Sequence, residues 1–512
     1  MNLINDAWIS VRRKNGEKIK IAPWQITEAI GTDKEIIELA AVRPDFNGAV
    51  IQFLIGLLQT TCAPKGNSDW RVWFNNPPSS TELKNKFESI VLEFNLDGTG
   101  PRFMQDLTIE KEDPKVETVE RLLIDWPGEA ALKKNTDFFV KRNHRVNLCL
   151  TCGVQALIAM QLNSPEGGRG FLTGLRGGGP VTTLIVGDTL WKMIWLNVLD
   201  INEFNSMACF TKNDKKDLFP WMGETRKGNT HITTTQDINP AQIYWSMPRR
   251  IRLIFKHSES ICNLCGEKTE IFIETFYSKT YGVKYKNVAH PLTPTYVKDN
   301  DILSKHQREA VGYKFWSSYV YGDSDGQSNP AKIIKTARGR HIDDIRMCIF
   351  GYNMNSNKPK CWYEGVMPII FIDNETQWKH YNAEIAMLIC AADMARYFLS
   401  KAVAKALNAG VFNTVRQRFW QETEPEFYRQ IAFLREEVIQ EKDGLDIRRT
   451  WHKHLVAKGL EIFDDMSQSE MIGDVNAERV ARAYNELRRN LNGKKLIIDI
   501  LGLPKEGGIR VS

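Results

Sequence analysis

The chain has 512 residues, of which 42% are hydrophobic, 10% aromatic and 25% charged, with a formal charge of +6. That length excludes a single ordinary core and asks for about two to four domains. The composition excludes global disorder, and so mild a charge does not demand a nucleic-acid partner, although it permits a local basic surface.

At the start, "MNLINDAWIS" lacks a basic stretch followed by an apolar one, so no secretory leader is expected. The greasiest run, "LWKMIWLNVL" (190–199), is interrupted by Lys192 and Asn197. It falls short of the roughly 18 apolar residues needed to span a bilayer. A cytoplasmic chain without membrane contact is the expectation, and there its nine cysteines stay reduced. Up to about residue 370, β-like runs ("TTLIVG", "IRLIFK", "EIFIETF", "MPIIFI") alternate with helical patches and Pro/Gly/Asn punctuation. This predicts a mixed α/β body over 1–370.

After Pro368 the pattern turns helical. Ile385, Leu388, Ile389, Ala392, Leu399, Val403 and Leu407 form one stripe between Asn382 and Asn408. A second helical stretch covers 413–441, where Pro425 is expected to break the helix or open a turn. A third carries Trp451, Leu455, Ile462 and Phe463. A fourth carries Val480, Tyr484, Leu487 and Leu491, with Asp474 or Asn476 as its cap. The fold class expected is therefore α+β: a large irregular mixed body, then a C-terminal four-helix bundle over 371–512.

Two C-x2-C knuckles, Cys149/Cys152 and Cys262/Cys265, are each followed by glycine. Four thiolates at this spacing complete a closed tetrahedral zinc site, a staple rather than a catalytic centre. A redox pair is the alternative, and the other five cysteines (Cys62, Cys209, Cys348, Cys361, Cys390) read as core.

Seven of the sixteen residues from Ser164 to Gly179 are glycine, with Arg169 and Arg176 among them. Successive backbone N–H groups here could cradle an anion, but the phosphate-loop signature is absent and "GRGFLTG" misses the dinucleotide spacing. Arg176 is either a buried anchor or a phosphate contact, with the anchor favoured. "RHIDDIR" gathers His341, Asp343 and Asp344, which could bind a metal or form a solvated turn. No convincing catalytic set is present, so no enzyme is expected. "FFVKRNHR" (138–145) puts two aromatics before Lys141, Arg142, His144 and Arg145, a pattern suited to stacked bases and phosphates or simply to an exposed basic loop.

"NLINDAWISV", "PRFMQDL" (101–107), the two knuckles, "GLRGGGPVTT" (174–183) and "FGYNMNSNKPKCWYE" (350–364) together resemble the CasA family, across essentially the whole chain. CasA is the large subunit of the type I-E CRISPR surveillance complex, Cascade. The resemblance implies a non-enzymatic subunit that recognises the protospacer-adjacent motif (PAM) in double-stranded DNA from the minor groove. It also implies partners: the other Cascade subunits, the 5′ handle of the guide RNA (crRNA), target DNA and a recruited helicase-nuclease.

By motif, the family's glycine loop falls on Gly167, Gly168, Arg169 and Gly170, where Arg169 departs from an all-small loop. Its lysine finger falls on Lys279, with Lys284 the neighbour in register. The wedge that props the duplex open falls on Asn355, Ser356 and Asn357, and Lys358 would hold a flanking phosphate. The handle contact falls on Phe139, or Phe138, with Lys141 and Arg142 beside it. Two rival readings stand next to this one: a zinc-stapled scaffold for protein partners alone, and a metal-dependent nucleic-acid hydrolase built on His341, Asp343 and Asp344.

Overall fold

The computed structural model describes residues 1–134, 146–168, 170–209, 214–306, 312–322, 328–342, 345–355, 357–408, 413–469 and 476–504. Contacts divide the chain into two units. The first comprises Met1–Glu309 and Ser324–Val366, and the second Ala310–Asp323 and Met367–Ser512.

The first unit is organised around the helix Pro44–Thr61, which starts with Pro at its first turn and Asp45 beside it. Its apolar residues run all round rather than along one stripe, which is the signature of a helix buried on every side. Phe53 projects from it into an aromatic cluster, edge-on to Trp8, Phe94, Phe103 and Trp245 at 5.2–6.0 Å. The helix Leu150–Asn163 packs against it.

Over this helical layer lies a sheet whose central strand is Lys268–Lys279. Arg250–Ile261 pairs antiparallel along one edge. Lys115–Thr118 and the short Leu148–Cys149 share the other edge. A second sheet orders Lys358–Pro368, Arg346–Asn355 and Thr182–Val186 side by side.

Strands form at "TTLIVG", "IRLIFK" and "EIFIETF", the β-like runs read from the sequence. "MPIIFI" does not extend one, because the strand ends at Pro368. Proline has no N–H to offer the ladder. Beyond it, the Pro368 and Ile370 carbonyls accept from Trp316 Nε1 (2.7 Å) and the Tyr321 hydroxyl (3.0 Å) instead.

In the second unit, Glu375–Leu407, capped by the Asn374 side chain, packs against three helices: Asn413–Ile439, Leu445–Ser469 and Ala477–Leu491. Asn476 caps the last by accepting from Arg479 N–H at 3.0 Å. Pro425 breaks nothing: the second helix runs straight through it. Phe419, Thr423 and Phe427 are fully buried on either side of the proline, so packing holds the turn despite the missing hydrogen bond.

The 310–323 segment joins this helical unit although sequence reading left it with the first part. Tyr313 explains why. Its ring stacks on Phe427 (4.3 Å) and its hydroxyl meets Thr423 Oγ1 at 2.8 Å. No helix among the described residues is long and apolar enough to cross a membrane.

Candidate nucleic-acid interface and thiol centre

The four knuckle cysteines come together, with their sulfurs all within 4.8 Å of one another. The edge strand Leu148–Cys149 delivers one pair to the start of the Leu150–Asn163 helix. There the Cys152 N–H donates to Cys149 Sγ (3.4 Å). The turn between Arg250–Ile261 and Lys268–Lys279 supplies the other pair, with Gly266 left-handed (φ +77) and its N–H donating to the Cys262 carbonyl.

Cys149 and Cys265 sulfurs are 3.7 Å apart, close to the edge of about 3.8 Å that a tetrahedron of 2.3 Å zinc–sulfur bonds requires. Hydrogen bonds from the Cys149 and Cys152 thiols push Cys262 down, whereas Cys149 and Cys262 push Cys152 up. These four residues could hold a metal ion. Of the five cysteines read as core, Cys348 is buried and Cys62 half-buried, but Cys209, Cys361 and Cys390 are exposed.

The glycine-rich stretch resolves into a scaffold and a displayed loop. In the scaffold, Gly174 and Gly178 lie so close to the preceding backbone that a Cβ would sit 2.8 Å from the Leu162 carbonyl oxygen and 2.9 Å from Pro165 Cα. Arg176 is a buried anchor, 2% exposed. It donates to Thr182 Oγ1 (3.0 Å), Thr293 Oγ1 (2.9 Å) and Gln52 Oε1 (2.6 Å), all neutral oxygens. Burial pushes the guanidinium down to about 10, so it stays charged at neutral pH.

Glu166, Gly167 and Gly168 of the displayed loop are exposed. Gly168 (φ +95) has open space where a side chain would go. Arg169 lies outside the described residues. Gly170 (φ +83) abuts the next segment: its carbonyl accepts from the Tyr281 N–H at 2.7 Å, and a Cβ there would stand 2.8 Å from Thr280 Cβ.

That contact brings the loop within two residues of Lys279, the last residue of its strand. The loop also reaches the hairpin of the second sheet, since Asn357 Nδ2 donates to Glu166 Oε2 at 3.2 Å across 191 residues. Asn355 and Asn357 are exposed at that tip, beside Lys358. Ser356 lies outside the described residues. So do Phe138, Phe139, Lys141, Arg142, His144, Arg145, Asp343 and Asp344, while His341 ends the helix Lys332–Arg340 in a left-handed conformation. The neighbour Lys284 is exposed on a different, two-residue strand.

Sequence reading missed the groups beneath this face. Arg249 lies under the loop, 8% exposed, donating to the Pro165 carbonyl and stacked over Phe171 at 5.3 Å. Arg250 pairs bidentately with Glu112 (2.7 and 3.0 Å) and with Asp106 (2.5 Å), and Arg252 with Glu110 (3.1 Å). The available signal was two arginines at alternate positions of an apolar strand, "RIRLIF", which call for acidic partners on one face; of these Asp106 is fully buried, Glu112 half-buried and Glu110 exposed.

Hydrogen bonds from Arg250, and then from Lys227, hold the Glu112 carboxyl at about 2, against its ordinary 4.5 and the opposing effect of burial. A depressed carboxyl stabilises the fold above its unfolded value and loses that contribution as pH falls toward the folded one. We therefore expect Glu112→Gln to flatten the loss of thermal stability between pH 4.5 and about 2 relative to the unaltered chain. Parallel melting curves across that window would show that Glu112 anchors nothing.

Fold and site together define a class of protein: a mixed α/β unit with a four-thiol centre and a face of clasped loops, accompanied by a helical unit. The family described as CRISPR-associated protein Cse1 matches residues 2–462, and the chain belongs to that family. Among solved structures it is similar to Thermobifida fusca Cse1 (TM-score 0.70, 15% identity, 97% of this chain and 98% of that one). It is also similar to Thermus thermophilus CasA (Cse1) (TM-score 0.68, 16% identity, 96% and 99%). A chain of a CRISPR RNA-guided surveillance complex gives a TM-score of 0.64 at 14% identity over 96% and 99%.

Proposed function

We propose that this chain is the large subunit of a type I-E CRISPR RNA-guided surveillance complex, and that it recognises the PAM in double-stranded DNA and starts strand opening. Family membership and the likeness to a chain of such a complex support the assembly with other Cascade subunits and guide RNA. The observation that carries the DNA reading is the convergence of three distant segments. The glycine loop is bonded both to the Thr280–Tyr281 turn beyond Lys279 and to the Asn357 side of the hairpin tip.

A minor groove about 6 Å wide admits bare backbone where side chains would clash. Gly167, Gly168 and Gly170 would enter it, and Lys279 would donate to the base-edge acceptors or a phosphate. Asn355, Ser356 and Asn357 would part the adjacent base pair, after which guide pairing reads the sequence. Phe139, Lys141 and Arg142 would meet the crRNA handle. Zinc on Cys149, Cys152, Cys262 and Cys265 would leave no open position, so it would fasten the sheet to the helix start and take no part in chemistry. The second unit would be a four-helix bundle, with the helicase-nuclease recruited to the assembled complex. In this reading the chain binds and makes no bonds, acting in a cytoplasmic antiviral defence.

The test is duplex binding by the reconstituted guide-RNA complex, with and without this chain, on targets differing only in the flanking trinucleotide, at fixed salt. The chain should add flank-dependent affinity. Gly168→Asp, placed in open space, should reduce it by about tenfold or more, as should Lys279→Ala. Flank preference unaffected by the chain would leave the protein-only scaffold in its place.

A further inference from the structure

We infer that the Glu112–Asp113 backbone is a cradle that positions Lys279, presenting its ammonium as a preset probe for a single acceptor on DNA. The inference rests on the reading above that Lys279 faces the duplex. The Lys279 ammonium donates to two successive carbonyls, Glu112 O and Asp113 O, the latter at 3.0 Å. Glu112 closes the short 3-10 helix Ile109–Glu112, whose last carbonyls have no partner within the helix and point off its end; for one cation to meet the next carbonyl as well, the backbone must turn there. Asp113 supplies that turn by its left-handed conformation (φ +51).

An ammonium has three donors, and the cradle occupies two. One N–H is left for an outside acceptor, with the long side chain already ordered before DNA arrives. Among the described residues no carboxylate pairs with Lys279, so its charge is undiminished by a direct ion pair.

The cradle is itself tied down. The Glu112 carboxylate takes both terminal nitrogens of Arg250 (2.7 and 3.0 Å) and Lys227 Nζ (3.2 Å). Arg250 stands directly opposite Lys279 in the antiparallel register. The loop that holds the lysine is thus anchored to the residue facing it across the hairpin. A positioned lysine loses less freedom on binding than a loose one, and its aim discriminates between acceptors at different places. Glu112 and Asp113 accordingly act on DNA only through Lys279.

Asp113 is exposed, which allows a clean pair of variants. Asp113→Asn and Asp113→Val both remove the charge, but asparagine tolerates the left-handed conformation and valine does not. Flank discrimination by the reconstituted complex should be retained in D113N and fall about fivefold or more in D113V. In a K279A background D113V should add nothing further. Thermal unfolding of each chain checks that the fold survives.

If D113V discriminates like D113N while K279A does not, the cradle is overturned and the DNA reading stands. If D113V costs as much with K279A as without it, the loop is merely structural and the cradle is again overturned. If K279A changes nothing, the assignment of Lys279 to DNA fails first, and the cradle's role fails with it.

Discussion

With zinc bound at the four-thiol centre as proposed, its removal would have the largest effect of any single perturbation of this chain. The sulfurs of Cys149, Cys152, Cys262 and Cys265 belong to two segments more than a hundred residues apart, held together there otherwise by a two-residue strand pairing and by hydrogen bonds between Asn147 and Asn263. A structural zinc site contributes an apparent binding energy of about 10–16 kcal/mol, and that energy is folding energy because the unfolded chain has no preformed site. One zinc per chain should be found by elemental analysis. A strong chelator, or Cys152→Ser, should lower the melting temperature by at least about 10 °C. Loss should centre on the Leu148–Cys149 strand and the hairpin turn, where hydrogen exchange would report it. A chain that carries no metal, and whose melting is indifferent to chelator, would sink the staple.

Arg176→Met is expected to be the most damaging substitution outside that centre. The side chain bridges the helix Pro44–Thr61 through Gln52, the strand start through Thr182, and the 290s loop through Thr293. Methionine matches much of the stem but leaves three buried oxygens without a donor. An unsatisfied buried acceptor costs roughly 1–3 kcal/mol, so the sum, tempered by relaxation, is about 3–5 kcal/mol. Gly174 and Gly177 close a turn around the same residue, with the Gly177 N–H donating to the Gly174 carbonyl at 2.9 Å. The scaffold under the displayed loop should therefore loosen as well. Denaturant midpoints measure the first effect and flank discrimination in the assembled complex measures the second. A stability loss under about 1 kcal/mol, read from the midpoint and slope, would mean that water or a neighbouring donor replaces the guanidinium.

The cysteine knuckles, the helical stripes after Pro368, the Asn476 cap and the glycine clustering were legible because each is a local pattern. Spacing of two residues between thiols, or of three and four between apolar side chains, reports its own geometry. Pro425 was misread for the same reason. Its local signal is a break, and only the burial of Phe419 and Phe427 on both sides overrules it. "MPIIFI" is apolar enough for a strand, yet Pro368 ends the ladder and the following carbonyls turn to Trp316 and Tyr321. Residues 310–323 carry no local mark of membership in the helical unit, and Tyr313 shows its role only once stacked on Phe427.

What the sequence determined by itself was thus the set of parts: two thiol pairs, a glycine-rich stretch, a β-like run at 270–276 and four helical stretches, with Lys279 and residues 355–357 marked by resemblance alone. The tertiary structure alone decided which parts meet. Glu166 joins Asn357 across 191 residues, Lys279 rests on Asp113 across 166, and Arg250 reaches Glu112 across 138. Contacts at such separations leave no periodicity in the chain. They arise when burial of the apolar faces brings the segments together, and each polar group then takes the partner that its position in the packed fold provides.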